Sequence, residues 1–61
     1  MNEEQIDELI KRLENMSNDY LSRAESYHER GMINLQEITL SVSTAYQHAA
    51  KIVREAAGRE H

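Results

Sequence analysis

From Ile6 onward the apolar positions fall at Ile6, Leu9, Ile10, Leu13, Met16, Tyr20, Leu21, Ala24 and Tyr27, in steps that keep returning to one side of a helix. Polar and charged residues fill the places between them. The pattern predicts one long amphipathic helix over residues 3–30. Asn2 with Gln5 three residues on has the form of a capping box, and Glu3 and Glu4 follow where the helix dipole favours anions.

Gly31 interrupts the pattern with the residue that most readily takes the left-handed conformation ending a helix, and Met32 stands where such a turn folds it back onto Tyr27. A second box, Asn34 with Glu37, predicts a new start, with Ile33 stapled to Ile38. The apolar series then resumes as Leu35, Ile38, Val42, Ala45, Tyr46, Ala49, Ile52, Val53 and Ala56, predicting a second helix over 35–57 that stops at Gly58. Residues 58–61 are expected to form a frayed tail. So short a connection makes the helices antiparallel neighbours. The expected fold is an all-α, antiparallel two-helix hairpin in a single domain spanning residues 1–61.

The width of the stripes carries the expectation further. At about 100° per residue each spans roughly 140° to 160° of its helix, more than one neighbouring helix covers. A chain of 61 residues also buries only about 60% of the surface it exposes when unfolded, which leaves its stability marginal. With no cysteine there is no disulfide to make up the difference. Association of two hairpins into a four-helix bundle is therefore expected. The self-association surface comprises Ile6, Leu9, Ile10, Leu13, Met16, Tyr20, Ile38, Val42, Ala45, Ala49, Ile52 and Val53, with Ser17, Ala24, Ala45, Ala49 and Ala56 permitting close helix approach.

Charge and composition narrow the functional classes. The net charge of −4 repels nucleic acid and anionic lipid unless one face is locally basic. The N-terminal Met1-Asn2-Glu3-Glu4-Gln5 is acidic, and no long apolar run follows, so neither a signal peptide nor a membrane span is expected. Lack of cysteine suits a reducing compartment, and cytoplasmic location is the expectation. Folding as a hairpin would bring Lys11 and Arg12 near Lys51 and Arg54, the one basic patch that can be assembled.

Candidate chemistry is sparse. Glu25 and His28 have the Glu-x-x-His spacing by which carboxylate-bridged metal bundles present two ligands on one face, and the hairpin would place Glu37 opposite them. The competing reading is that Glu25 and His28 are solvated flank residues, and no cofactor is expected. Tyr20, Tyr27 and Tyr46 fit the core spacing, though tyrosines also anchor partners. Leu40 projects away from the helix-two stripe among Thr44, Gln47 and Lys51, a weakly charged strip suited to a protein partner. No phosphate-binding loop, no activated nucleophile and no paired inward carboxylates occur, so an enzyme is not expected.

The leading expectation is a homo-oligomeric interaction module that binds and regulates or inhibits another protein. In architecture alone the hairpin resembles plasmid copy-number regulators that dimerise into four-helix bundles and bind RNA, and this resemblance implies RNA binding as the first alternative. A metal-binding bundle using Glu25, His28 and Glu37 is the second.

Overall fold

The structure, a computed structural model, describes residues 1–59. It contains α1, Glu3–Glu29, and α2, Ile33–Ala56, packed against each other as an antiparallel hairpin. Helix α1 begins as its sequence predicts. The Asn2 side chain accepts from the Gln5 amide at 2.8 Å while the Gln5 side chain accepts from the Asn2 amide at 3.0 Å. Each bond satisfies an amide that the first turn leaves without an intrahelical partner.

The turn is a Schellman motif. Gly31 has φ +71°, its amide donates to the His28 carbonyl at 3.0 Å, and the Met32 amide donates to the Tyr27 carbonyl at 2.9 Å. This closure delivers Met32 directly as the N-cap of α2, and its carbonyl accepts from the Gln36 amide at 3.0 Å. The second capping box is therefore absent. α2 starts at Ile33, so Asn34 and Glu37 already lie inside it, and its cap makes no side-chain hydrogen bond. No staple forms either, since Ile33 and Ile38 are both well exposed.

A second Schellman closure ends α2. Gly58 has φ +70°, and the Arg59 amide donates to the Arg54 carbonyl at 2.8 Å. Contrary to the expected frayed tail, Arg59 is tied down: its guanidinium donates to the Asp7 carboxylate and to the Glu3 carbonyl, the latter at 3.3 Å. Hydrogen bonding to Asp7 holds the Arg59 pKa above its usual range, with burial opposing this and the charges of Asp7 and Glu3 adding to it. Residues 60 and 61, the rest of the expected tail, lie outside the described residues.

The seam between the helices is built from small side chains. α1 contributes Ile10, Ser17 and Ala24 at seven-residue intervals, and α2 contributes Thr39, Ser43 and Ala50. At its middle two serines exchange hydrogen bonds: Ser17 Oγ donates to the Ser43 carbonyl at 2.9 Å and Ser43 Oγ to the Ser17 carbonyl at 2.8 Å. Each hydroxyl reaches the opposite backbone, which requires the helices to approach closely. Thr39 resolves its polarity locally by donating to the Leu35 carbonyl at 2.6 Å. Among the described residues, no buried side-chain polar atom lacks a partner.

The result is a rod of 43 × 18 × 15 Å. Its radius of gyration is 13.7 Å, against about 10.5 Å for a compact chain of this length.

Candidate interaction faces

The two flanks of the seam differ in character. On α1 the side turned one way carries Ile6, Leu9, Leu13, Met16, Tyr20 and Tyr27. On α2 the corresponding side carries Leu35, Ile38, Val42, Tyr46, Ala49 and Val53, with Ala45 and Ile52 at its outer rim. Because the helices are antiparallel, these sides lie on the same face of the hairpin. Tyr20 and Tyr46 establish this directly, their rings stacked across the seam with centroids 5.7 Å apart and planes at 14°.

This apolar face is poorly covered. Among the described residues the only hydrophobic side chains buried within the hairpin are Ile10, Ala24 and Ala50. Ile38 is 61% exposed and Ile52 52%, and Met16 and Leu35 are also exposed. The accessible surface is 4707 Å², against about 4,100 Å² for a monomeric globular chain of this mass. Of the residues assigned from sequence to self-association, Ile10 belongs instead to the internal seam. The others remain half-buried or exposed.

Near the turn the face changes. The positions that continue the line of Leu9 and Met16 are Arg23 of α1 and Arg30, its C-cap. Arg23 lies over the Tyr20 ring at 4.8 Å and Arg30 over the Tyr27 ring at 5.6 Å, so each lays an apolar stem and a cation on the face. At the opposite end of α1 a shallow groove is lined by Met1, Gln5, Glu8, Leu9 and Arg12.

The other face is mostly polar, with Leu21 and Leu40 exposed on it, and is held by cross-helix contacts. Arg54 pairs with Glu14 and Arg59 with Asp7, while Lys51 pairs with Glu55 along α2 at 3.8 Å. On the outer edge of α1, beside Leu9, Arg12 pairs with Glu8 at 2.9 Å. The basic patch assembled from sequence is thus interleaved with carboxylates, since Arg12, Lys51 and Arg54 each hold an acid. Leu40, Thr44, Gln47 and Lys51 do share one strip of α2 on this face. Leu40 is 37% exposed beside a groove that includes His28 and Gln36, and Thr44, Gln47 and Lys51 line another.

The metal reading meets a geometric obstacle. His28 Nδ1 lies 3.2 Å from Gln36 Oε1, so the residue opposite His28 is an amide, and Glu37 is turned roughly 100° away from it on α2. Among the described residues no group of three His, Cys, Asp or Glu is placed to hold a metal ion. Glu25, His28 and Glu37 are not brought together.

Sequence reasoning missed Thr39, Ser43 and Ala50 as the α2 half of the seam, because two of them are polar and interrupt the apolar series. The available signal was their register with Ser17 and Ala24 across the hairpin.

Comparison of the chain with family models, curated proteins and solved structures returns no match. Among the described residues no helix is long and apolar enough to cross a membrane.

Proposed function

We propose that the chain is a non-enzymatic interaction module: a hairpin that pairs with a second copy through its apolar face and uses its polar face to bind and regulate or inhibit another protein. The observation that carries this reading is the position of Ile38, Ile52, Met16 and Leu35, large apolar side chains left open on one face of a rod whose own seam consists mostly of small residues. Contiguous exposure of this kind marks an interaction site in a soluble protein. The strip Leu40, Thr44, Gln47 and Lys51 remains outward in such a pair and is the proposed contact with the regulated protein. A cytoplasmic setting suits the cysteine-free sequence. RNA binding is the weaker alternative, because three of the four cations of the candidate patch, Arg12, Lys51 and Arg54, are held by acids and the net charge is −4.

Sedimentation equilibrium and thermal melts over a hundredfold range of concentration test the pairing. The expected result is a dimer mass and a melting temperature that rises with concentration. Ile52→Asp should abolish that dependence, since a charge is tolerated on an open surface and strongly disfavoured in a closed one. An Ile52→Asp protein that matches the parent in mass and melting behaviour would overturn the reading.

A further inference from the structure

Given the pairing reading, on which this inference rests, we infer that the second copy lies on the apolar face with its turn at the opposite end of the bundle, so that α1 packs on α1 and α2 on α2.

Area is sufficient for a second copy. The face has an outline of 43 by 18 Å, about 770 Å², close to the roughly 800 Å² per partner of a standard stable interface. The orientation follows from how its side chains are distributed along the rod.

On α2 small side chains are spaced among large ones in the C-terminal half. Leu35, Ile38 and Val42 occupy the half near the turn, and Ala45, Ala49 and Ala56 stand among Tyr46, Ile52 and Val53 in the rest. Packing α2 against itself head to tail about an axis at the level of Ser43 sets Ile38 near Ala49 and Val42 near Ala45, while Leu35 meets Ile52. At two of these three levels a large residue then meets a small one, as close packing demands.

On α1 the deciding residues are Arg23 and Arg30. A two-fold axis through the level of Ser17 and Ser43, near the middle of both helices, places Arg23 of one copy over Leu9 of the other. That is the groove lined by Met1, Gln5, Glu8, Leu9 and Arg12. The Arg23 stem covers Leu9 while its guanidinium reaches Glu8, which already holds Arg12. Arg30 falls in the same way toward the first turn, with its Glu3 and Glu4 nearby.

The reverse orientation, with both turns at one end, sets α1 against α2. Arg23 and Arg30 would then press on Ile38 and Leu35, where that face of α2 offers no carboxylate. Two guanidinium groups would be dehydrated without a counter-ion, at high cost. Charge therefore selects the head-to-tail arrangement, and the α2 pairing accommodates it.

Because the chain has no cysteine, single cysteines report the geometry without background. A spin label at Glu29→Cys should give an intermolecular distance of about 40 Å, since residue 29 lies about 20 Å from the axis level in each copy. Turns at one end would bring the labels within about 30 Å of each other, the width of two packed helices plus the label arms. Met16→Cys should oxidise to a covalent dimer, because Met16 faces its own copy across the axis. Arg23→Glu should weaken dimerisation about two- to tenfold, and adding Glu8→Arg in the same chain should restore it. A dimer with the short label distance and no Met16→Cys cross-link overturns this arrangement and leaves the pairing reading standing. A monomer at all concentrations overturns both.

Discussion

At the scale of single residues, the reciprocal serine pair has the sharpest consequence. Ser17 and Ser43 are 3% and 6% exposed, each donating to the other's carbonyl across the seam. Those carbonyls also accept within their own helices, so removing one hydroxyl leaves no orphaned group. Ser17→Ala should cost about 1 kcal/mol, the net worth of one hydrogen bond. Ser17→Leu should cost more, about 1 to 3 kcal/mol, although leucine is the more hydrophobic residue, because its volume forces the helices apart. Urea denaturation of both variants checks the order. A more stable Ser17→Leu would mean that the close approach contributes little. Ser17 shows where sequence reading reaches and where it stops. Its place inside the α1 stripe marked it as a point of close approach, but its partner Ser43 sits in the hydroxyl-rich run Ser41-Val42-Ser43-Thr44, where nothing local separates a buried serine from an exposed one. The exposed Ser41 bonds back to the Glu37 carbonyl at 3.0 Å and never reaches the other helix.

At the scale of elements, the two helix starts behave differently and should respond differently to the same substitution. Asn2→Ala removes a working cap and should lower stability by about 1 kcal/mol. Asn34→Ala should be nearly neutral, because Asn34 lies within α2 and caps nothing. Thermal unfolding of the two variants under matched conditions tests the contrast, and an equal loss would restore Asn34 as a cap. Two capping-box signatures, Asn2 with Gln5 and Asn34 with Glu37, thus led to opposite outcomes. The Schellman closure at Gly31 sets Met32 as the first cap residue before Asn34 can serve, and a hydrogen-bonded turn outranks a side-chain preference. Gly31 itself should resist substitution. Beyond its immediate chain neighbours no atom lies within 4 Å of where its Cβ would stand, so the penalty is the local backbone strain of positive φ. Gly31→Val should cost about 1 to 2 kcal/mol and Gly31→Asn less, since asparagine tolerates positive φ. The helices and their antiparallel order were legible from periodicity and from this glycine. The exact start of α2 was not, because two competing turn geometries are compatible with the same residues.

At the scale of the whole molecule, a broad stripe on each helix translated into a face left open after the hairpin closes. The width of the stripes was readable from sequence, whereas the division into a small-residue seam and a large-residue face depends on how the helices rotate against each other. The open end of the hairpin carries a further device, the Arg59 contact with Asp7 and with the Glu3 carbonyl. Arg59→Ala should leave the centre of the rod unchanged and speed amide exchange in the last turn of α2, where that strap supplies the tertiary hold. Uniform acceleration along both helices would contradict this local role. The same contact places the beginning and the end of the fold side by side, 43 Å of rod away from Gly31 at most. The order in which the helices are synthesised is therefore open to rearrangement. A circular permutant that starts at Met32, passes from Arg59 through a short glycine linker into Asn2, and ends at Arg30 should recover the parent's helicity, with the old turn becoming a pair of free ends.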